Sequence, residues 1–286
     1  MSRVAIVTCE GNDLDPDSPI LLGALADEGV DAQLVRWDDE GADFESFDLC
    51  VIRSTWNYTS SLSQFLDWAR SVTRLENPYP AVEYSTDKHY MADLARRGHA
   101  VVPSVFCDVG EEAVFPDEDF VVKPCVGAGS IDVERYRPND WAAARRHVEM
   151  LHESRRDVLI QPYVQSVDVV GERALVFVDG EFTHAMTKSA MLNTPAPDRH
   201  MLFRHRQMAR AEVEPDAVAF AQRVLSDLGY ERLLYARVDL VGYEGGWAVM
   251  ELELVEPSLF LSYDEAAPVK LAQAIKRRAI NATIRR

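Results

Sequence analysis

A mixed α/β (α+β) fold is predicted, with a parallel α/β unit at the N-terminus followed by two α+β units, and three observations predict it. Strand and helix patterns alternate over the first part of the chain, which implies a parallel sheet. The turn-rich segment Asn77-Pro-Tyr-Pro-Ala81 interrupts that alternation. Asp179-Gly180 then separates two long alternating runs, the pattern of an antiparallel hairpin. The boundaries expected on this basis are 1–83, 84–162 and 163–286.

Taken in order, Val4 to Cys9 is a buried strand, and Ser18-Pro19 offers an N-cap and a first-turn proline for a helix through Glu28, ended by Gly29. Ala32 to Val35 and Leu49 to Ile52 are further strands, and Leu62, Phe65, Leu66 and Ala69 recur at helical spacing. In the central unit, Asp87 to Arg97 is a helix closed by Gly98, Phe120 to Lys123 and Ile131 to Tyr136 are strands, Trp141 to Glu153 is an amphipathic helix, and Val158 to Pro162 is an edge strand. The last unit contains the hairpin Arg173 to Val178 and Phe182 to Lys188. A mobile loop over Met191 to Arg206 and a helix over Asp216 to Leu228 follow. Strands at Leu234 to Val241 and Trp247 to Val255 and a C-terminal helix from about Glu265 complete it. Basic residues late in that helix suit its negative end.

The chain has 286 residues, 47% hydrophobic and 27% charged, enough apolar material for more than one core. No apolar run approaches a membrane span, and a soluble cytoplasmic protein is expected. Four cysteines, Cys9, Cys50, Cys107 and Cys125, lie far apart with no zinc-like spacing and read as reduced core thiols. A formal net charge of −17 argues against nucleic acid or anionic membrane as partner.

Two groups of residues carry chemistry. Val121-Val-Lys-Pro-Cys-Val-Gly-Ala-Gly-Ser130 puts a lysine at the end of a strand and two glycines and a serine just after it, a turn able to present backbone N–H groups to phosphate oxygens. An ordinary hairpin turn fits the same residues, and no lysine follows the second glycine as in a Walker A loop. The second group is Arg237-Val-Asp239 with Glu251-Leu-Glu253, where period-2 spacing places each pair on one strand face. Carboxylates gathered there invite Mg²⁺, a hard cation that takes oxygen ligands. Alternation is equally compatible with a solvent-facing sheet surface backed by Val238, Leu240, Leu252 and Leu254.

In this order, these features resemble the ATP-grasp superfamily, in which an N-terminal α/β subdomain and two α+β subdomains clamp ATP. The resemblance implies that Lys88, in Ser85-Thr-Asp-Lys, and Lys123 hold the ATP phosphates under a loop formed by Gly127, Ala128, Gly129 and Ser130. It implies that Gln161, Pro162, Tyr163 and Val164 form the hinge that reads adenine, with Asp168 toward the ribose. Lys188 matches a contact to the terminal phosphate, Arg237 the arginine near the reacting centre, and Arg173 an added charge for phosphate or substrate. Asp239, Glu251 and Glu253 match the ligands of Mg²⁺, two ions being expected. Many members have Glu-x-Asn where this chain has Glu251-Leu-Glu253 followed by Leu-Val-Glu256-Pro-Ser, which leaves Glu253 and Glu256 as alternatives for the second metal position.

That same Glu-Leu-Glu-Leu-x-Glu-Pro-Ser-Leu run, with Arg53-Ser-Thr-Trp-Asn-Tyr58 and Gly180-Glu-Phe-Thr-His-Ala185, is similar to the O-ureidoserine cyclo-ligases. This branch implies an ATP- and Mg²⁺-dependent carboxylate–amine ligase acting through an acyl phosphate on a small amino-acid-like molecule. Either a ring or a dipeptide would be the product. A homodimer is a family expectation only.

Outside these motifs, Arg53, Ser54, Thr55 and Trp56 follow a buried strand at the carboxyl edge of a sheet, where Arg53 would hold a substrate carboxylate and Trp56 would wall a pocket. Packing of Trp56 on the next helix is the competing explanation. Glu10, Asp13, Asp15 and Asp17 are read as a solvated acidic loop, with recognition of an amino group as the alternative, and His184 as a packed strand residue, with proton transfer as the alternative. His205, between Arg204 and Arg206, is placed to meet phosphate or substrate. A dinucleotide oxidoreductase is disfavoured because Val7-Thr-Cys-Glu-Gly-Asn12 lacks the Gly-x-Gly-x-x-Gly turn. A non-catalytic nucleotide-binding protein is the remaining rival.

Overall fold

Three sheets follow one another along the chain in a computed structural model that describes residues 1–10, 15–189 and 208–284. The first is built from β1 (Arg3–Thr8), β2 (Asp31–Arg36), β3 (Leu49–Ser54) and β4 (Leu75–Glu76), all parallel in the order β2-β1-β3-β4. Helices α1 (Asp17–Asp27) and α2 (Leu62–Ser71) supply its crossovers. β1 and β3 are central and buried almost throughout, which is why their sequences run apolar without alternation. The cap of α1 falls at Pro16 rather than at Ser18, which lies inside the first turn and donates its hydroxyl to Asp15.

Next come α3 (Tyr79–Thr86) and α4 (Tyr90–Arg96). The helix expected over Asp87 to Arg97 is α4, whereas α3 is an additional helix that arises from the segment read as a turn. Pro78 and Pro80 do not break α3 because first-turn nitrogens have no intrahelical acceptor to lose. The second sheet contains β5 (Val105–Cys107), β6 (Phe120–Pro124), β7 (Glu134–Tyr136) and β8 (Val158–Pro162), antiparallel in the order β5-β8-β6-β7. Val158 to Pro162 is therefore interior rather than an edge, since three-residue β5, too short to show a period, pairs along its outer side. α5 (Trp141–Glu153) covers this sheet with Ala144, Val148 and Leu151 on Phe120, Val122 and Ile160.

A short α6 (Ser166–Val170) leads into the third sheet. There β9 (Glu172–Val178) and β10 (Glu181–Lys188) form the expected hairpin, with Asp179 and Gly180 both at positive φ, 51° and 80°. β11 (Met208–Arg210), β12 (Tyr235–Tyr243) and β13 (Gly246–Glu253) complete it in the order β11-β10-β9-β12-β13, with α7 (Pro215–Asp227) between β11 and β12. The final α8 (Ala267–Ile284) joins this sheet to the first. Its Leu271 and Ile275 pack in one core with Leu21 and Leu25 of α1 and with Val176 and Val178 of β9. Each such leucine contributes about 1.5–3 kcal/mol when buried. Arg278 of α8 reaches Glu76 at 2.6 Å and Asp179 at 2.8 Å; it lies before the last turn of α8, so this basic residue binds the first and third sheets rather than complementing the helix end.

One side chain sets the junction more closely. The buried Asn77 amide donates to the Tyr235 and Leu254 carbonyls at 2.8 Å each, and its Oδ1 accepts from the Leu234 N–H at 2.8 Å. The Tyr235 hydroxyl donates to the Ile52 carbonyl at 2.7 Å. The carboxyl end of β3 is thereby fixed against β12 and β13. Among the described residues no helix is long and apolar enough to cross a membrane.

Candidate active site

Antiparallel pairing of β12 with β13 sets Arg237 opposite Glu253 and Asp239 opposite Glu251, while Val238 and Leu252 point into the core behind them. The charged face is not a solvent surface, for Asp239 is fully buried and Arg237 is 5% exposed. It turns instead toward a cavity of about 220 Å³ walled on its far side by the second sheet. Arg237 grips Asp239 through Nε to Oδ1 at 2.9 Å and Nη2 to Oδ2 at 3.0 Å, also meets Glu253, and donates from Nη1 to the Ser258 carbonyl at 3.1 Å. Lys188 from β10 donates to Asp239 at 2.5 Å and pairs with Glu172 of β9. Burial opposes ionisation of Asp239, but Arg237 and Lys188 outweigh it and hold the carboxyl below its usual range.

Lys88, between α3 and α4, lies 3.2 Å from Glu251 and donates to the Gly127 carbonyl at 3.2 Å. Burial works against the Glu251 carboxylate, yet Lys88 and Lys123 draw it down to about 2. For Glu253 burial prevails over Arg237 and, with repulsion from Glu251 and Asp239, pushes the carboxyl up to about 7. Lys123, at the end of β6, lines the cavity but has no carboxylate within ion-pairing distance among the described residues. Burial lowers its pKa.

Gly127 to Ser130 also line the cavity, with Gly129 and Ser130 at φ 63° and 65°. Gln161, Pro162, Tyr163 and Val164, at the end of β8, form another wall. Gln161 is oriented by its bond to the Ser104 hydroxyl at 2.9 Å, and the Tyr163 N–H donates to the Asp119 carbonyl at 2.7 Å. Asp168 sits behind this wall, accepting from the Tyr163 hydroxyl, with Arg135 at 3.8 Å. Arg173 is not part of the cavity wall: alternation on β9 turns it outward, where Nη1 donates to the Val170 carbonyl at 2.5 Å and the Thr187 hydroxyl at 2.9 Å. Its neighbour Glu172 takes the cavity face instead. The same alternation rule, applied to Gly171-Glu-Arg173, points to that residue.

The segment after β3 divides. Trp56 and Tyr58 line the cavity, whereas Arg53, Ser54 and Thr55 do not. Arg53 is 2% exposed, donates from Nη2 to the Pro257 carbonyl at 2.8 Å, and stacks over Tyr235 at 5.1 Å, so it holds protein backbone rather than a substrate carboxylate. Ser54 shares a 2.8 Å hydrogen bond with Thr8. Asp15 and Asp17 are buried rather than solvated, Asp17 accepting from the Leu259 and Leu261 N–H groups at 2.7 and 2.8 Å. His184 is buried against the Leu259 carbonyl. His205, Asp13 and the loop 191–206 lie outside the described residues.

Carboxylate oxygens of Asp239, Glu251 and Glu253 lie within 4.8 Å of one another, an all-oxygen donor set suited to a hard divalent cation. Asp87, His89 and Cys125 also converge, but His89 Nδ1 is engaged by Asp87 at 2.6 Å and burial pushes the Cys125 thiol up and keeps it protonated, which does not suit a metal.

The N-terminal domain of D-cycloserine synthetase DcsG is matched by residues 4–79. Cycloserine biosynthesis protein DcsG of Streptomyces lavendulae is 38% identical over 282 residues, covering 93% of this chain and 94% of that protein. The chain belongs to the DcsG family of ATP-grasp ligases. The crystal structure of D-cycloserine synthetase DcsG matches with a TM-score of 0.83 at 33% identity, over 97% of this chain and 99% of that one. D-alanine–D-alanine ligase from Bacillus anthracis matches with a TM-score of 0.70 at 14% identity, over 100% of this chain and 98% of that one, a likeness of fold. As a DcsG-family member the protein is an ATP-dependent enzyme that forms carbon–nitrogen bonds, and the expected ATP-grasp architecture of mixed α/β units is the one found.

Proposed function

We propose that the enzyme phosphorylates the carboxylate of an amino-acid-like substrate with ATP and closes the resulting acyl phosphate onto a nitrogen of the same molecule, as in ring closure of O-ureidoserine to cycloserine. One observation carries the nucleotide half. Lys123 is a buried ammonium on a cavity wall without an ion-pair partner among the described residues, the 127–130 turn lines the same cavity, and a polyphosphate would answer a buried cation beside such a turn. Lys88 stands beside it across the same turn.

In this reading Gln161 to Val164 hold the adenine, Asp168 supports the ribose side through Tyr163, and Lys188 meets the terminal phosphate. Asp239, Glu251 and Glu253 would hold Mg²⁺, taken as two ions, which screens the triphosphate charge. The substrate carboxylate oxygen attacks the γ-phosphorus, the bond to the β-phosphate oxygen breaks, and ADP leaves. Phosphorylation removes the negative charge that protects a carboxylate from nucleophiles. The substrate nitrogen then attacks the acyl carbon and gives up its proton, Arg237 stabilises the developing oxyanion, and phosphate departs; with O-ureidoserine the carbamoyl group on that nitrogen is then lost to water as carbon dioxide and ammonia, leaving cycloserine. Tight pairing of Arg237 to Asp239 and to the Ser258 carbonyl supports that role, because it leaves the guanidinium pre-oriented.

The test is to supply O-ureidoserine with ATP and Mg²⁺ and to measure ADP together with product mass. ADP with a product smaller than its substrate is expected. A product larger than its substrate when a second amino acid is added identifies an intermolecular ligase, and no ADP with any amino acid sinks the proposal.

A further inference from the structure

Opposite charges around the cavity pair off with two exceptions. Lys88 meets Glu251, Lys188 meets Glu172 and Asp239, and Arg237 meets Asp239 and Glu253. What remains among the described residues is one cation, Lys123, and one carboxylate, Glu256, both on the cavity wall. A phosphate chain answers the first. It cannot answer the second.

We propose that Glu256 recognises the primary ammonium group of the substrate, and that Arg53 positions it by holding the backbone that follows. The proposal rests on the ligase reading above, which makes the ligand an amino acid. Glu256 is not a further member of the carboxylate cluster, since only Asp239, Glu251 and Glu253 have oxygens mutually within 4.8 Å. Its own neighbours are those of an amine site: the Tyr58 hydroxyl donates to it, and Trp56 lines the same cavity. The chain after it is pinned at both sides. Arg53 Nη2 donates to the Pro257 carbonyl at 2.8 Å and lies 3.9 Å from Asp17, whose carboxylate takes the Leu259 and Leu261 N–H groups. Residues 257–261 therefore rest on a buried charge pair, and Glu256 is presented on a fixed support. Burial and the nearby Glu253 charge push the Glu256 carboxyl up to about 8, a cost of ionisation that a bound ammonium offsets and a neutral group does not.

Calorimetric titration of the full chain, loaded with ADP and Mg²⁺, with O-ureidoserine and with its N-acetyl derivative tests this directly. Wild type is expected to bind the free amine at least about tenfold more tightly than the acetylated compound, the scale of one charge-assisted hydrogen bond. Glu256→Gln should abolish that preference, Glu256→Asp should keep part of it, and Arg53→Lys should reduce it, with ADP affinity as the check on folding. Preference retained by Glu256→Gln, no preference in wild type, or binding of neither compound overturns the proposal. Preference without ring formation overturns the cyclisation reading and leaves this assignment standing; ring formation by Glu256→Gln at the wild-type KM does the reverse.

Discussion

Arg237 and Asp239 lie two positions apart on β12, and the guanidinium folds along the strand to take both carboxylate oxygens, at 2.9 and 3.0 Å. The pair keeps Asp239 ionised although its side chain is fully buried. Asp239→Asn leaves Arg237 and Lys188 facing a neutral amide and removes one of three clustered carboxylates. ADP release is expected to fall about 100-fold or more, in line with loss of one preorganised electrostatic group. Nucleotide affinity, measured by titration with ADP, should change by less than about tenfold, because the nucleotide contacts proposed for Lys123 and residues 161–164 are untouched.

Lys123 predicts a trade between stability and function. Its ammonium is buried without an ion-pair partner among the described residues, and burial lowers its pKa. For a base with a depressed folded-state pKa the protonated form is the strained one, so the penalty is present at neutral pH and relieved as pH rises through that pKa. Lys123→Met removes the charge and keeps the stem. The nucleotide-free variant should melt higher than wild type, by about 2–4 °C for each kcal/mol recovered in a chain of this size, while ATP affinity falls. A lower melting temperature with unchanged ATP affinity would contradict the placement of phosphate at this lysine.

These two residues were legible in the sequence for different reasons. Arg237, Asp239, Glu251 and Glu253 stood out because strand alternation is a local rule, and pairing turned two local pairs into one cluster. Lys123 was legible through its strand and the glycines after it. Arg53 was misread because its partner, the Pro257 carbonyl, is 204 positions away, and no local pattern tells a buried arginine that holds backbone from one that faces a ligand. Likewise α3 hid behind two prolines whose first-turn position only the fold reveals, and β8 looked like an edge because β5 is only three residues long.

The carboxylate cluster sets a pH dependence with a definite sign. Glu253 is raised from 4.5 to about 7, so the folded state prefers it protonated. Below pH 4.5 both states hold the proton and nothing is lost; between 4.5 and 7 the unfolded chain has released it and the folded one has not, so stability falls as pH rises. Glu251, lowered to about 2, acts oppositely and only in acid, where stability is lost as pH falls from about 4.5 toward 2. In chelator, Glu253→Gln should therefore gain on wild type between pH 5 and pH 8, read as a difference in denaturation midpoint that widens with pH. A constant difference across that range would refute the assignment of the raised group to Glu253.

Gly171 couples the third sheet to Lys188. It sits at φ 74° just before β9, and a Cβ there would lie 2.6 Å from Thr187 Cγ2 and 2.8 Å from the Lys188 carbonyl oxygen. The threonine methyl is a short side chain and the carbonyl belongs to a paired strand, so neither yields without moving β10. Gly171→Ala thus combines an unfavourable backbone region with a clash, a destabilisation of about 1–3 kcal/mol. The displaced strand is the one that carries Lys188 to Asp239 and Glu172, so the damage reaches the site. ADP release should fall along with stability, whereas Gly229→Ala, at φ 75° with open space where its Cβ would go, should lose stability alone. Equal activity losses in the two variants would show that the effect runs through global stability rather than through the placement of Lys188.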